Sequence, residues 1–125
     1  MSYKNILLID DDSDDADLFI EAVDSLQKEI VCRFSSNALK AFEDLKTAEN
    51  LPDLIFVDFN MPAMNGDAFI QKMKSENRLE SIPIILMSTH SPEVMCKVTK
   101  ELDSIHYMTK PNSFQELVLL LDRIL

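Results

Sequence analysis

The chain has 125 residues, 46% of them hydrophobic, with a formal net charge of −10 from 22 acids and 12 bases. That length fits one domain and the apolar share supports a packed core; the charge repels nucleic-acid phosphates and anionic membranes, so neither is an expected partner. The two cysteines, Cys32 and Cys96, form no CxxC pair, the apolar run at the N-terminus is too short for a signal peptide, and no stretch approaches a membrane span, so a cytoplasmic protein is expected.

Strand-length apolar runs recur along the chain: Ile6-Leu7-Leu8-Ile9, Ile30-Val31-Cys32-Arg33-Phe34, Leu54-Ile55-Phe56-Val57, Ile84-Ile85-Leu86-Met87 and Ile105-His106-Tyr107-Met108. The first, third and fourth are continuously apolar, as strands covered on both faces of a parallel sheet read. The second is more mixed and reads as an edge strand. Helical spacing fills the gaps. Ser13 is the expected N-cap of a first helix, with Asp14 and Asp15 in its first turn and Phe19, Val23 and Leu26 facing inward. Ala38, Phe42 and Leu45 mark a second helix; Phe69, Ile70 and Met73 mark a third. Ser91 before Pro92 reads as the cap of a fourth, with Val94, Met95, Val98 and Leu102 along its stripe. Asn112 is the expected cap of a fifth, whose core face is Phe114, Leu117, Val118, Leu121 and Leu125, with Leu119 off that stripe. His106 reads as a surface residue. The fold expected is α/β: a doubly wound, five-stranded parallel sheet of order 2-1-3-4-5 with five helices, flavodoxin-like, in a single domain over 1–125 with no output domain after it.

In such a fold, ligands sit beyond the carboxyl ends of the strands. The first strand ends in Asp10-Asp11-Asp12. The third ends in Val57-Asp58-Phe59-Asn60-Met61-Pro62, the fourth in Ser88-Thr89 and the fifth in Thr109-Lys110-Pro111. Carboxylates gathered in one crevice repel each other, and a hard divalent cation relieves them. Magnesium suits such a set, because it takes few carboxylates, keeps waters and leaves room for phosphate oxygens; Mn2+ is an alternative.

These residues, in this order and on these elements, resemble the receiver domains of two-component response regulators, as in the single-domain chemotaxis regulator, over essentially the whole chain. The resemblance implies that Asp58 accepts a phosphoryl group from a phosphohistidine on a sensor histidine kinase or phosphotransfer protein. It implies that Asp10, Asp11, Asp58 and the backbone carbonyl of Asn60 hold the metal, and that Lys110 offsets phosphoryl charge. Ser88 and Tyr107 match the switch hydroxyl and aromatic, and Lys110-Pro111 matches a bond that is cis in the family. The face of the fourth helix, fifth strand and last helix would then carry the output to another protein, and would serve any weak dimer of an otherwise monomeric chain.

The sequence departs from the family in two places. Asp103-Ser104 replaces a small Gly-Ala pair, and Thr89 replaces a smaller residue. Asn60 and His90 stand two positions past site residues, where, with Thr89, they are expected to tune the lifetime of the phosphorylated state. Other readings weigh less. A calcium loop from Asp10, Asp12, Asp14 and Glu21 has Asp15 where the loop needs Gly. An aspartyl-phosphate hydrolase needs an acid at Asn60. A scaffold receiver would have lost one of the five residues Asp10, Asp11, Asp58, Ser88 and Lys110. Asp14, Asp15 and Asp17 read as a solvated helix start. A self-phosphorylating switch, not a turnover enzyme, is the expectation.

Overall fold

A strand that is apolar on both faces must be covered on both, and the chain does this with helices of opposite placement. A computed structural model describes residues 3–59, 61, 64–89 and 106–125. Its elements are β1 (Asn5–Ile9), α1 (Ser13–Ser25), β2 (Val31–Ser35), α2 (Ala38–Thr47), β3 (Leu54–Asp58), α3 (Gly66–Lys74), β4 (Ile84–Ser88), β5 (His106–Thr109) and α4 (Phe114–Ile124). The strands form one sheet in the order β2-β1-β3-β4-β5, every pair parallel. The expected doubly wound architecture is present. Four helices lie among the described residues, and the one expected at Ser91–Leu102 lies outside them.

Side chains of period two divide the sheet between two cores. On one face Ile9, Ile55, Val57, Ile84 and Leu86 meet Phe42 and Leu45 of α2 and Phe69, Ile70 and Met73 of α3. On the other, Ile6, Leu8, Phe56, Ile85 and Met87 meet Phe19 and Val23 of α1 and Leu121 of α4. Phe19 and Phe56 pack edge to face, with centroids 4.9 Å apart. β3 and β4 are buried at every position. β2 is an edge strand, with Val31 and Phe34 exposed.

Several local expectations shift. β2 begins at Val31, not Ile30; Gln27 and Glu29 take left-handed backbone (φ 53° and 58°) and complete the turn before it. The N-cap of α1 is Asp12, not Ser13: its carboxylate accepts from the backbone N–H groups of Asp14 and Asp15. The cap of α4 is Ser113, not Asn112, with its hydroxyl accepting from Glu116 N–H. Neighbouring Asx and Ser residues cap equally well, so the position at which the backbone turns extended decides between them. Phe114, expected in the core, is exposed in the first turn of α4; Leu119 is exposed as its spacing required.

Candidate functional site

The carboxyl ends of β1, β3, β4 and β5 face one crevice. Asp10 follows β1 and Asp58 ends β3, and both are buried. Asp11 is exposed beside them. One carboxylate oxygen from each of Asp10, Asp11 and Asp58 falls within 4.8 Å of the others, a group able to hold a metal ion. Ser88, at the end of β4, is 1% exposed. Its backbone carbonyl accepts from the Lys110 N–H at 2.8 Å, which fixes where the β5 chain turns and Lys110 enters the site.

Three close approaches hold β3's end in place. Phe59 N–H donates to the Met87 carbonyl at 2.9 Å, and Gly66 N–H donates to the Phe59 carbonyl at 3.0 Å. A Cβ on Gly66 would come within 2.6 Å of Leu86 Cδ1 and 2.8 Å of the Asp58 carbonyl oxygen. Glycine is required there because α3 starts against the backbone that carries Asp58.

Lys110 links the acids. Its Nζ lies 3.3 Å from Asp58 Oδ1, 3.4 Å from Asp10 Oδ2 and 3.3 Å from Asp15 Oδ2. Burial alone would lower the Lys110 pKa, but the charges of Asp58, Asp10 and Asp15 outweigh it and raise it, so the ammonium stays charged. Burial pushes the Asp10 carboxyl up from its ordinary value, against the downward pull of the Asp12 N–H and of Lys110. A buried carboxylate held at this cost is what a cation would relieve.

The expected residues divide as follows. Asp10, Asp11, Asp58, Ser88 and Lys110 come together. Tyr107 is half-buried on β5 and packs at the margin of the α2–α3 core; its strand partner is Leu86. Thr89 is exposed just past Ser88. Asn60, His90 and the Asp103-Ser104 pair lie outside the described residues. The bond preceding Pro111, expected cis, is trans, as no cis peptide occurs among the described residues; an X–Pro bond favours trans by about 0.5–1 kcal/mol. Asp15, expected to be only a solvated helix start, instead pairs with Lys110. Its spacing three residues after its cap predicted the first turn of α1 but not a partner 95 positions away. Beside Lys110 a pocket opens between α1 and α4, with Leu18, Met87, Phe114 and Leu117 among its walls.

Comparison with known proteins bears on the fold and the family. The chain is 29% identical over 118 residues to the sensor histidine kinase CheAY of Helicobacter pylori, covering 94% of this chain but only 14% of that protein. It is 29% identical over 106 residues to protein PilG of Pseudomonas aeruginosa, covering 84% of this chain and 78% of that one. Among solved structures, the phosphorylated cyanobacterial phytochrome response regulator RcpA superposes with a TM-score of 0.85 at 25% identity, covering 98% of this chain and 91% of that one. The Mn2+-bound form of response regulator Rcp1 gives 0.81 at 25% identity, covering 97% and 91%. Among the described residues, no helix is long and apolar enough to cross a membrane. The family model for the response regulator receiver domain matches residues 6–122, and the chain belongs to that family of two-component signalling receivers.

Proposed function

We propose that this receiver is a phosphorylation-dependent switch whose acceptor is Asp58. The observation that carries the reading is the position of Lys110 Nζ, 3.3 Å from Asp58 Oδ1 and 3.4 Å from Asp10 Oδ2, two of the three acids whose oxygens converge. An Asp58 oxygen attacks the phosphorus of a phosphohistidine on a sensor kinase or phosphotransfer protein. The P–N bond breaks, imidazole leaves, and an aspartyl phosphate remains. Lys110 donates N–H bonds to the phosphoryl oxygens, and its charge offsets theirs.

Asp10, Asp11 and Asp58 fit a hard divalent cation, with the Asn60 carbonyl as a further ligand; Mg2+ is the first choice and Mn2+ the second. When bound, the cation supplies positive charge against the acids and the phosphoryl oxygens. The relative with bound Mn2+ supports the class of metal. The exposed Leu18 and Phe114 beside Lys110 give a protein donor apolar surface to press against.

The Ser88 hydroxyl then hydrogen-bonds a phosphoryl oxygen, and Tyr107 changes position with it. The surface around β5 and α4 is altered for a downstream protein. Asn60, Thr89 and His90 set how long the phosphate lasts. Loading with acetyl phosphate and Mg2+, read by intact mass, tests the reading. One phosphoryl group per chain is expected in the wild type and none in Asp58→Asn. Turnover of the donor with no phosphoryl group accumulating on the chain, or equal loading of the variant, would overturn it.

A further inference from the structure

Lys110 ends in an ammonium with three N–H donors and no acceptor. Three carboxylates surround it, Asp10 at 3.4 Å and Asp15 and Asp58 each at 3.3 Å. Asp15 differs from the other two. It is outside the converging trio, and its side chain is 48% exposed where those of Asp10 and Asp58 are 3% and 9%. Its backbone is fixed at the first turn of α1, where its N–H donates to Asp12 Oδ1 at 3.2 Å. The carboxylate therefore reaches Lys110 from the solvent-exposed side.

A phosphoryl oxygen needs one of the three N–H donors, because charge-assisted bonds are the strong ones at such a site. Asp10 is walled in and keeps its contact, and Asp58 holds its own until one of its oxygens takes the phosphoryl group. Asp15 can turn to water. We propose that Asp15 is a positioning residue for phosphoryl transfer: it holds one N–H of Lys110 and must release it before a phosphoryl oxygen can take its place, so it acts as a brake on loading. The proposal rests on the reading of Asp58 as the acceptor.

The test is the loading rate of the full chain with Mg2+, using acetyl phosphate and the less charged phosphoramidate. Asp15→Asn is expected to load about threefold to fivefold faster with both donors, the range open to a half-exposed ion pair. Asp15→Ser should show the same gain, and Asp15→Glu, which reaches the same ammonium, should keep the wild-type rate. Unchanged rates in Asp15→Asn and Asp15→Ser overturn the proposal. So does a gain confined to acetyl phosphate, which marks plain repulsion of the donor, or a Glu variant as fast as Asn. A wild type that loads normally while these variants match it sinks this inference alone; a wild type that takes no phosphoryl group sinks the acceptor reading as well.

Discussion

Asp53 and Asp10 stand at opposite ends of the sheet. Asp53 precedes β3 at the amino end, exposed, and its Oδ2 accepts from the backbone N–H groups of Lys4 and Asn5 at 2.9 and 3.0 Å. Those two bonds hold its pKa below the ordinary value. Asp10 follows β1 at the carboxyl end, buried, and its pKa is raised because burial outweighs the Asp12 N–H and Lys110. Both are aspartates beside β1, yet ionisation favours the fold at one end and opposes it at the other. A carboxylate tying two strands together in water serves stability. A carboxylate buried among other acids does not, and its place is explained by what binds there.

The largest effect on the carboxyl end should come from Gly66→Ala. The added methyl meets Leu86 and the Asp58 backbone, and overpacking of this kind costs about 1–3 kcal/mol. Chemical denaturation should show that loss, and Asp58 should load more slowly because its backbone must shift. A variant of wild-type stability would mean that α3 is not fixed against β3.

Asp10→Asn and Asp53→Asn should respond to pH with opposite signs. The Asp10 pKa in the fold exceeds its unfolded value near 3.8. Its charge therefore weakens the metal-free fold as pH rises from that value through the raised one. Relative to wild type, Asp10→Asn should gain Tm at neutral pH, with the gain fading in acid, and Mg2+ should remove most of the difference. The Asp53 pKa in the fold is below 3.8. Its contribution is present above the unfolded value and lost as pH falls through the folded one, so Asp53→Asn should lose Tm at neutral pH and match wild type in acid. Thermal scans across that range with and without Mg2+ test both, and the same sign for both variants would break the comparison.

The smallest effect should be at Lys28, remote from the site. It pairs with Asp122 at 2.9 Å and donates to the Asp122 carbonyl at 3.1 Å, pinning the loop after α1 to the end of α4. Exposed pairs are worth roughly 0–1 kcal/mol. Lys28→Met should lower stability within that range and leave phosphoryl loading unchanged.

The strands were legible because unbroken apolar runs such as Leu54–Val57 have only one home in a parallel sheet. Asp10, Asp11, Asp58, Ser88 and Lys110 were legible because each stops a strand, and strand ends of this fold share one crevice. Asp15 was not: acids in a first turn are ordinary, and its tie to Lys110 spans 95 positions that no local pattern encodes. The caps moved by one residue, from Ser13 to Asp12 and from Asn112 to Ser113, because adjacent side chains of similar capping strength differ only in backbone dihedrals. Phe114 fitted the helical stripe of α4 but is the helix's first residue and is exposed.

The central claim is that the acids at the carboxyl end form one cation site. It is tested most directly by titrating the chain with Mn2+ and following paramagnetic broadening of backbone amide resonances. Amides at Asp10, Asp11, Phe59 and Lys110 should broaden first, those around Asp53 should stay sharp, and excess Mg2+ should restore the lost signals. Broadening spread evenly over the acidic surface, or centred away from Asp58, would contradict it.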